Sequence, residues 1–167
     1  VEELLKYGVK FIGGCCGTTP EYIAEIKKAL ADKAYQPQKK SVDTTVCSSS
    51  TAVEINGPRI IGERINPTGK KLFKQALVDN NIDYILTQAL SQVGAGAEIL
   101  DVNVGHPEID EKKMMVRVIK AIQSVCDAPL QIDSTNPDVL EAGLRYYNGK
   151  PIVNSVNGEE KSLNSVL

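Results

Sequence analysis

Asp133 and Asn154 are the residues with the clearest chemical prospects. Asp133 follows the short apolar run Pro129-Leu130-Gln131-Ile132, and Asn154 follows Pro151-Ile152-Val153. Between them lies an amphipathic helix pattern with Val139, Leu140, Ala142, Gly143, Leu144 and Tyr147 on one face, stopped by Asn148-Gly149. This reads as strand, helix, strand, with a polar side chain at the end of each strand. Parallel α/β folds bind ligands at the carboxyl ends of their strands. Asp101 and Asn103 have the spacing of two that puts neighbouring strand residues on one face, so they too point to the mouth of the sheet. The ordinary alternative is local: Asp133 could cap the next helix through Asp-Ser-Thr-Asn-Pro, and Asn154 could satisfy its own loop. A second kind of chemistry is offered by Cys15-Cys16, flanked by Gly13-Gly14 and Gly17. Adjacent thiols in a tight turn suit a soft metal, but from spacing alone two inert buried thiols are the plainer reading.

The elements that would position these residues follow from periodicity. Residues 1–31 read as helix, strand, turn and helix: Val1 to Tyr7 closed by Gly8, a strand at Val9-Lys10-Phe11-Ile12, and a helix opened by Thr18 and Glu21 at capping-box spacing. Residues 32–56 are rich in Lys, Gln, Ser and Thr and lack a helical period, which suggests an interdomain linker with a short hairpin in its second half. Residues 57–167 repeat a β–α pattern. Strands are expected at Arg59 to Glu63, Glu98 to Asn103, Leu130 to Ile132 and Ile152 to Val153. Helices are expected at Leu72 to Leu77, Ile82 to Val93, from Asp110 with Met114, Met115, Val118, Ile119, Ile122 and Val125 inward, and after Pro137. Four strands alternating with helices predict a parallel sheet with right-handed crossovers, about half of a (β/α)8 barrel. The chain opens on a helix already under way and closes on one without a stop signal, as a segment of a longer polypeptide would.

Composition removes several function classes. The 167 residues carry a net charge of −2 with no basic stripe, which argues against nucleic acid as a partner. No apolar run approaches the ~18 residues of a membrane span. Four cysteines in an α/β pattern fit a reducing compartment, so a cytoplasmic location is expected. Gly94, Gly96 and Gly105 do not form a dinucleotide fingerprint, because Gly94-Ala95-Gly96 precedes a strand. His106, the one histidine, reads as a solvated loop residue beside Pro107, Met114-Met115 as core, and Glu63 and Arg64 as a structural ion pair.

The motifs taken together resemble a known arrangement. Gly13-Gly14-Cys15-Cys16-Gly17-Thr18-Thr19-Pro20 is similar to the closing motif of the homocysteine methyltransferase barrel. Ile61-Gly62-Glu63-Arg64-Ile65-Asn66-Pro67-Thr68-Gly69 resembles the opening of the pterin-binding barrel. Asp101-Val102-Asn103, Ile132-Asp133-Ser134 and Ile152-Val153-Asn154-Ser155 resemble its next three strands. The two barrels in this order are similar to the cobalamin-dependent methionine synthase family. The resemblance implies three parts: the end of a homocysteine-binding zinc barrel over 1–31, a linker over 32–56, and the first half of a pterin barrel over 57–167. It implies zinc on Cys15 and Cys16, with a third cysteine upstream, and activation of homocysteine as a thiolate. It implies pterin contacts from Asp133 and Asn154, the catalytic pair, with Gly69, Lys70 and Lys71 near the folate; Asp101 and Asn103 are second candidates for folate contact, with holding loops by hydrogen bonds as the equal alternative. A carboxylate can accept from two ring nitrogens, and an amide can both donate and accept. The methyl group would pass from 5-methyltetrahydrofolate to cobalamin on a separate corrinoid module, then to homocysteine. The segment alone would complete neither site and would be inactive. Two alternatives stand beside this. One is a different pterin-barrel enzyme, such as a folate:corrinoid methyltransferase or a dihydropteroate synthase relative. The other is a non-catalytic piece whose open sheet edges pair with another chain.

Overall fold

The computed structural model describes residues 1–33 and 44–166. The chain divides into two compact units, Val1–Val42 and Asp43–Leu167.

In the first unit, α1 (Glu2–Lys6) and α2 (Pro20–Leu30) flank an irregular segment. The strand expected at Val9 to Ile12 does not form, and Phe11 is 92% exposed. A strand needs a neighbour to take its N–H and C=O groups, and no strand of this unit is present among the described residues. Helix α2 begins one residue later than the capping box suggested. Thr19, not Thr18, occupies the N-cap, and Pro20 takes the first turn, where its missing N–H costs nothing.

The second unit opens with an antiparallel hairpin, β1 (Thr45–Cys47) and β2 (Ala52–Glu54), pairing Thr45 with Glu54 and Cys47 with Ala52. The hairpin expected in the second half of the linker is therefore present. It belongs to this unit and does not serve as free linker. The first half of that expected linker falls mostly outside the described residues. After the hairpin come β3 (Ile61–Ile65), α3 (Lys71–Val78), α4 (Ile82–Gly94), β4 (Ile99–Asn103), α5 (Glu111–Gln123), β5 (Leu130–Asp133), α6 (Pro137–Tyr146), β6 (Ile152–Asn154) and α7 (Glu160–Val166). Strands β3-β4-β5-β6 form one parallel sheet in chain order. This is the α/β alternation of a partial (β/α)8 barrel, as expected. The first strand starts two residues later than periodicity indicated, at Ile61, and its register slips between Gly62 and Ile65.

One face of the sheet packs against the helices. Leu100 and Val102 of β4 and Leu130 and Ile132 of β5 meet Phe73, Leu77, Ile85, Met115, Val118, Ile119 and Ile122 in one buried cluster. Met114 and Met115 are core, as their spacing indicated; Val125 lies beyond the end of α5 and is 45% exposed. The helices start where short polar side chains cap them. Asn81 accepts from Tyr84 N–H, Asp110 from Lys113 N–H, and Asn136 from Asp138 N–H. Asn136 caps α6, so Asp133 is released from the capping role that its turn allowed.

The hairpin closes the end of the sheet where β5 and β6 begin. Cys47 exchanges two backbone hydrogen bonds with Lys150, both at 2.9 Å. The Tyr147 hydroxyl donates to Cys47 C=O at 2.9 Å and accepts from Leu130 N–H at 3.2 Å. Burial pushes the Tyr147 phenol above its ordinary value. A Cβ at Gly149 would lie 2.1 Å from Cys47 O, so only glycine lets the two backbones meet here.

Candidate functional site

The candidate site is built on the sheet face opposite the helices, at the carboxyl ends of β4, β5 and β6. Asn103, Asp133 and Asn154 are successive register partners, Asn103 with Asp133 and Asp133 with Asn154. Partners in a parallel sheet point to the same face, so three polar side chains stand in a row across three strands. All three are half-buried. Asn103 Nδ2 donates to Asp133 Oδ2 at 3.0 Å, while its Oδ1 accepts from Gly105 N–H at 2.9 Å. The Gly105 bond fixes which way the amide faces, so its N–H is aimed at the carboxylate. Ser134 N–H donates to Asn154 C=O at 2.9 Å, and Ser134 Oγ donates to Glu111 Oε1 at 2.7 Å, tying the strand ends to the start of α5.

A second polar layer lies one step down the strands. Asp101 and Gln131 are register partners, and Gln131 Nε2 donates to Asp101 Oδ1. Asp101 is only 3% exposed. It therefore sits beneath the mouth, where spacing alone had placed it level with Asn103. Burial pushes its carboxyl up to about 6; the Gln131 hydrogen bond opposes this, Asp133 and Glu63 add to it, and Lys70 opposes it. The two layers alternate. On β4 the acid is below and the amide above; on β5 the amide is below and the acid above. No carboxylate faces a carboxylate directly.

The loop after β3 contributes differently from expectation. Glu63 pairs with Lys70, Nζ to Oε2 at 3.0 Å, and not with Arg64. Arg64 N–H instead donates to Gln92 Oε1 at 2.6 Å. Glu63 and Arg64 are neighbours in β3 and point to opposite faces of the strand, which leaves Glu63 to the loop that carries Lys70. Gly69 adopts φ +71°, a turn conformation that glycine enters without strain. Gly69, Lys70 and Lys71 line a cleft of about 410 Å3 with Arg64, Tyr84 and Gln88. Asn66 Oδ1 accepts from Thr68 N–H and shapes the same loop. His106 Nδ1 accepts from Glu108 N–H at 3.3 Å, the local loop role expected of it.

In the first unit Cys15 and Cys16 are exposed free thiols in a turn closed by Thr18 N–H to Cys15 C=O at 3.0 Å. Their donor type suits zinc. Among the described residues, however, no group of three or more His, Cys, Asp or Glu side chains could hold a metal ion. The pair fits as part of a donor set and not as a whole one. Cys47 and Cys126 are also free and half-buried.

Sequence reasoning did not assign a role to Gln131 or connect Glu63 to Lys70. Gln131 carried a usable signal: it is a polar residue two positions before Asp133, on the same face of an otherwise apolar strand. The Glu63–Lys70 pair had none, because it depends on how the loop between β3 and α3 folds back.

Comparison with known proteins gives the family. The pattern described as "Pterin binding enzyme" matches residues 62–166, and that described as "Homocysteine S-methyltransferase" matches residues 1–30. Methionine synthase of Mycobacterium tuberculosis (strain ATCC 25618 / H37Rv) is 32% identical over 160 residues, 94% of this chain and 13% of that protein. Methionine synthase of Mycobacterium leprae (strain TN) is 30% identical over 169 residues, 94% of this chain and 14% of that protein. The chain thus spans about one seventh of the length of these relatives. Among solved structures, a Xanthomonas albilineans dihydropteroate synthase in complex with indole-2-carboxylic acid and 6-chloroguanine aligns with TM-score 0.55 at 16% identity. The alignment covers 76% of this chain and 47% of that one. Yersinia pestis dihydropteroate synthase with a pterine-sulfa conjugate aligns with TM-score 0.51 at 20% identity, covering 74% and 45%. At these identities the likeness is one of fold. With residues 62–166 matched to its pattern and the parallel βα sheet to go with it, the chain belongs to the family of pterin-binding enzymes.

Proposed function

We propose that this chain is the part of a methionine synthase that carries the first half of its folate site and the closing turn of its homocysteine site. In this reading residues 57–167 bind 5-methyltetrahydrofolate, residues 1–31 end the homocysteine barrel, and the wider protein moves the N5-methyl to homocysteine by way of cobalamin. The observation that carries the reading is the Asn103–Asp133–Asn154 row at the strand ends. The match of residues 1–30 to homocysteine S-methyltransferases favours it over a stand-alone pterin enzyme.

The row has the chemistry that a pterin requires. Asp133 accepts from ring N–H donors, and Asn103 keeps it aimed. Asn154 offers both an N–H and a C=O to the ring edge. Holding the ring by several fixed groups orients the N5-methyl, and orientation is a large part of such catalysis. The amine must be hydrogen-bonded or protonated to leave, which side chains on this face can assist. Lys70, held by Glu63, sits beside the site with a positive charge suited to the acidic tail of a folate. Cys15 and Cys16 would hold zinc together with donors beyond the described residues; bound zinc lowers the pKa of a thiol. Cobalamin would be held by a corrinoid module. Among the described residues no helix is long and apolar enough to cross a membrane. The reading implies a cytoplasmic protein, in keeping with its free cysteines.

The test is equilibrium binding of 5-methyltetrahydrofolate to the full-length protein and its Asp133→Asn variant. The variant turns an acceptor of two hydrogen bonds into a group with a donor in one position. Affinity should fall by about 10-fold or more. Equal affinity in the two proteins would remove the row from the folate site.

A further inference from the structure

Two carboxyl groups lie on adjacent strands, offset by two residues, in a partly buried face, and their surroundings differ. Asp133 is half-exposed and receives the Asn103 amide. Asp101 is 3% exposed and receives the amide of its register partner Gln131. The charged neighbours of Asp101 are Glu63 on β3, Lys70 on the loop into α3, and Asp133 on β5; Lys70 is already engaged by Glu63. Carboxyls in one site do not ionise independently: one keeps its proton more readily, and the environment decides which. Here Asp101 is the more deeply buried of the two, and its carboxyl is the one pushed up.

We propose that Asp101 is a positioning residue that takes up a proton when the site is filled, so that the layer beneath the Asn103–Asp133–Asn154 row carries one negative charge fewer against the ligand. This rests on the pterin reading of the row above it. A flat ring laid over Asn103, Asp133 and Asn154 would exclude water from Asp101 as well. Further desolvation favours the neutral form of a carboxyl, so binding draws a proton from solution. Near neutral pH the direction is uptake, because Asp101 already titrates at about 6 and is mostly ionised before the ligand arrives. Gln131 opposes the uptake by hydrogen-bonding to the charged form, which tunes where it occurs.

The experiment is calorimetric binding of folic acid, an oxidised pterin without a ring amine that titrates near neutrality, to the full-length protein. It is run at about pH 6.5 in two buffers of different ionisation enthalpy. Uptake of about half a proton per site is expected in the native protein and close to none in Asp101→Asn. Gln131→Met, which removes the amide that holds the charged form, should move the uptake to higher pH; this variant serves where Asp101→Asn does not fold. Binding with undiminished uptake in Asp101→Asn, or with no uptake in the native protein, overturns the role of Asp101 and leaves the pterin reading standing. Absence of any binding heat in the native protein takes down both.

Discussion

Asn103 donates through Nδ2 to Asp133 Oδ2 at 3.0 Å, and the same two residues are register partners on adjacent parallel strands. Backbone register and side-chain hydrogen bond therefore specify one geometry twice. The aim of the carboxylate is a property of the sheet and does not wait for a ligand. Such preorganisation lowers the cost of ordering the site when a ligand binds.

From this follows the effect of Asn103→Ala. A hydrogen bond to a charged group contributes about 1.5–3 kcal/mol. Part of that is recovered when water reaches the half-exposed Asp133. A loss of about 10-fold in 5-methyltetrahydrofolate affinity is expected, with folding little changed. Titration of the full-length variant checks this, and unaltered affinity would show that Asp133 is oriented by something else.

How much of this site could be seen in the residue string depends on how local the rule is. Asn103 and Asp133 were legible because β-strand alternation has a period of two and needs only the strand itself. Met115, Ile119 and Ile122 were legible as core for the same reason with a helical period. The strand expected at Val9 to Ile12 failed because a strand is not a local object. Its apolar run says nothing about whether a neighbour exists to take its hydrogen bonds. The Glu63–Arg64 pairing failed against strand alternation itself, which sets neighbours on opposite faces, while the Lys70 partner depends on the path of a loop that leaves no mark in the sequence. The depth of Asp101 was likewise hidden, since alternation gives the face of a residue but not its height.

The hairpin offers a test at the other end of the sheet. The Tyr147 hydroxyl joins three segments by donating to Cys47 C=O and accepting from Leu130 N–H. In Tyr147→Phe both backbone groups lose a partner, and the Leu130 bond is buried. Leaving a buried donor unpaired costs about 1–3 kcal/mol. Urea unfolding should show a loss of that size, and hydrogen exchange should quicken at Cys47 and Lys150 as the hairpin loosens. No change in either would mean that the Cys47–Lys150 backbone pair holds the hairpin alone.

Gly149→Ala attacks that pair directly. Its Cβ would fall 2.1 Å from Cys47 O, a contact with backbone that no rotamer can relieve. The hairpin or the turn before β6 must move. A loss of about 1–3 kcal/mol, the range of overpacking, is expected. Because Tyr147 and Gly149 act on the same contact, the double variant should cost less than the sum of the two. Full additivity would argue against a shared clasp.

Asp101 also makes a prediction about stability that needs no ligand. Its carboxyl stands at about 6 in the folded chain against an ordinary value of 3.8. The folded state thus binds this proton more tightly than the unfolded state. The resulting stabilisation is fully present below 3.8 and is lost as pH rises through about 6. The shift corresponds to on the order of 2–3 kcal/mol. In Asp101→Asn the side chain keeps its size and can still meet Gln131, but it cannot titrate. The difference in unfolding free energy between native protein and variant should therefore change across this window, with the native protein gaining relative to the variant as pH falls. Denaturant midpoints for both proteins, taken at several pH values between these limits, read that difference directly. Carboxyls remote from Asp101 contribute equally to the two proteins and cancel. Parallel stability curves would show that Asp101 titrates as an ordinary carboxylate despite its burial.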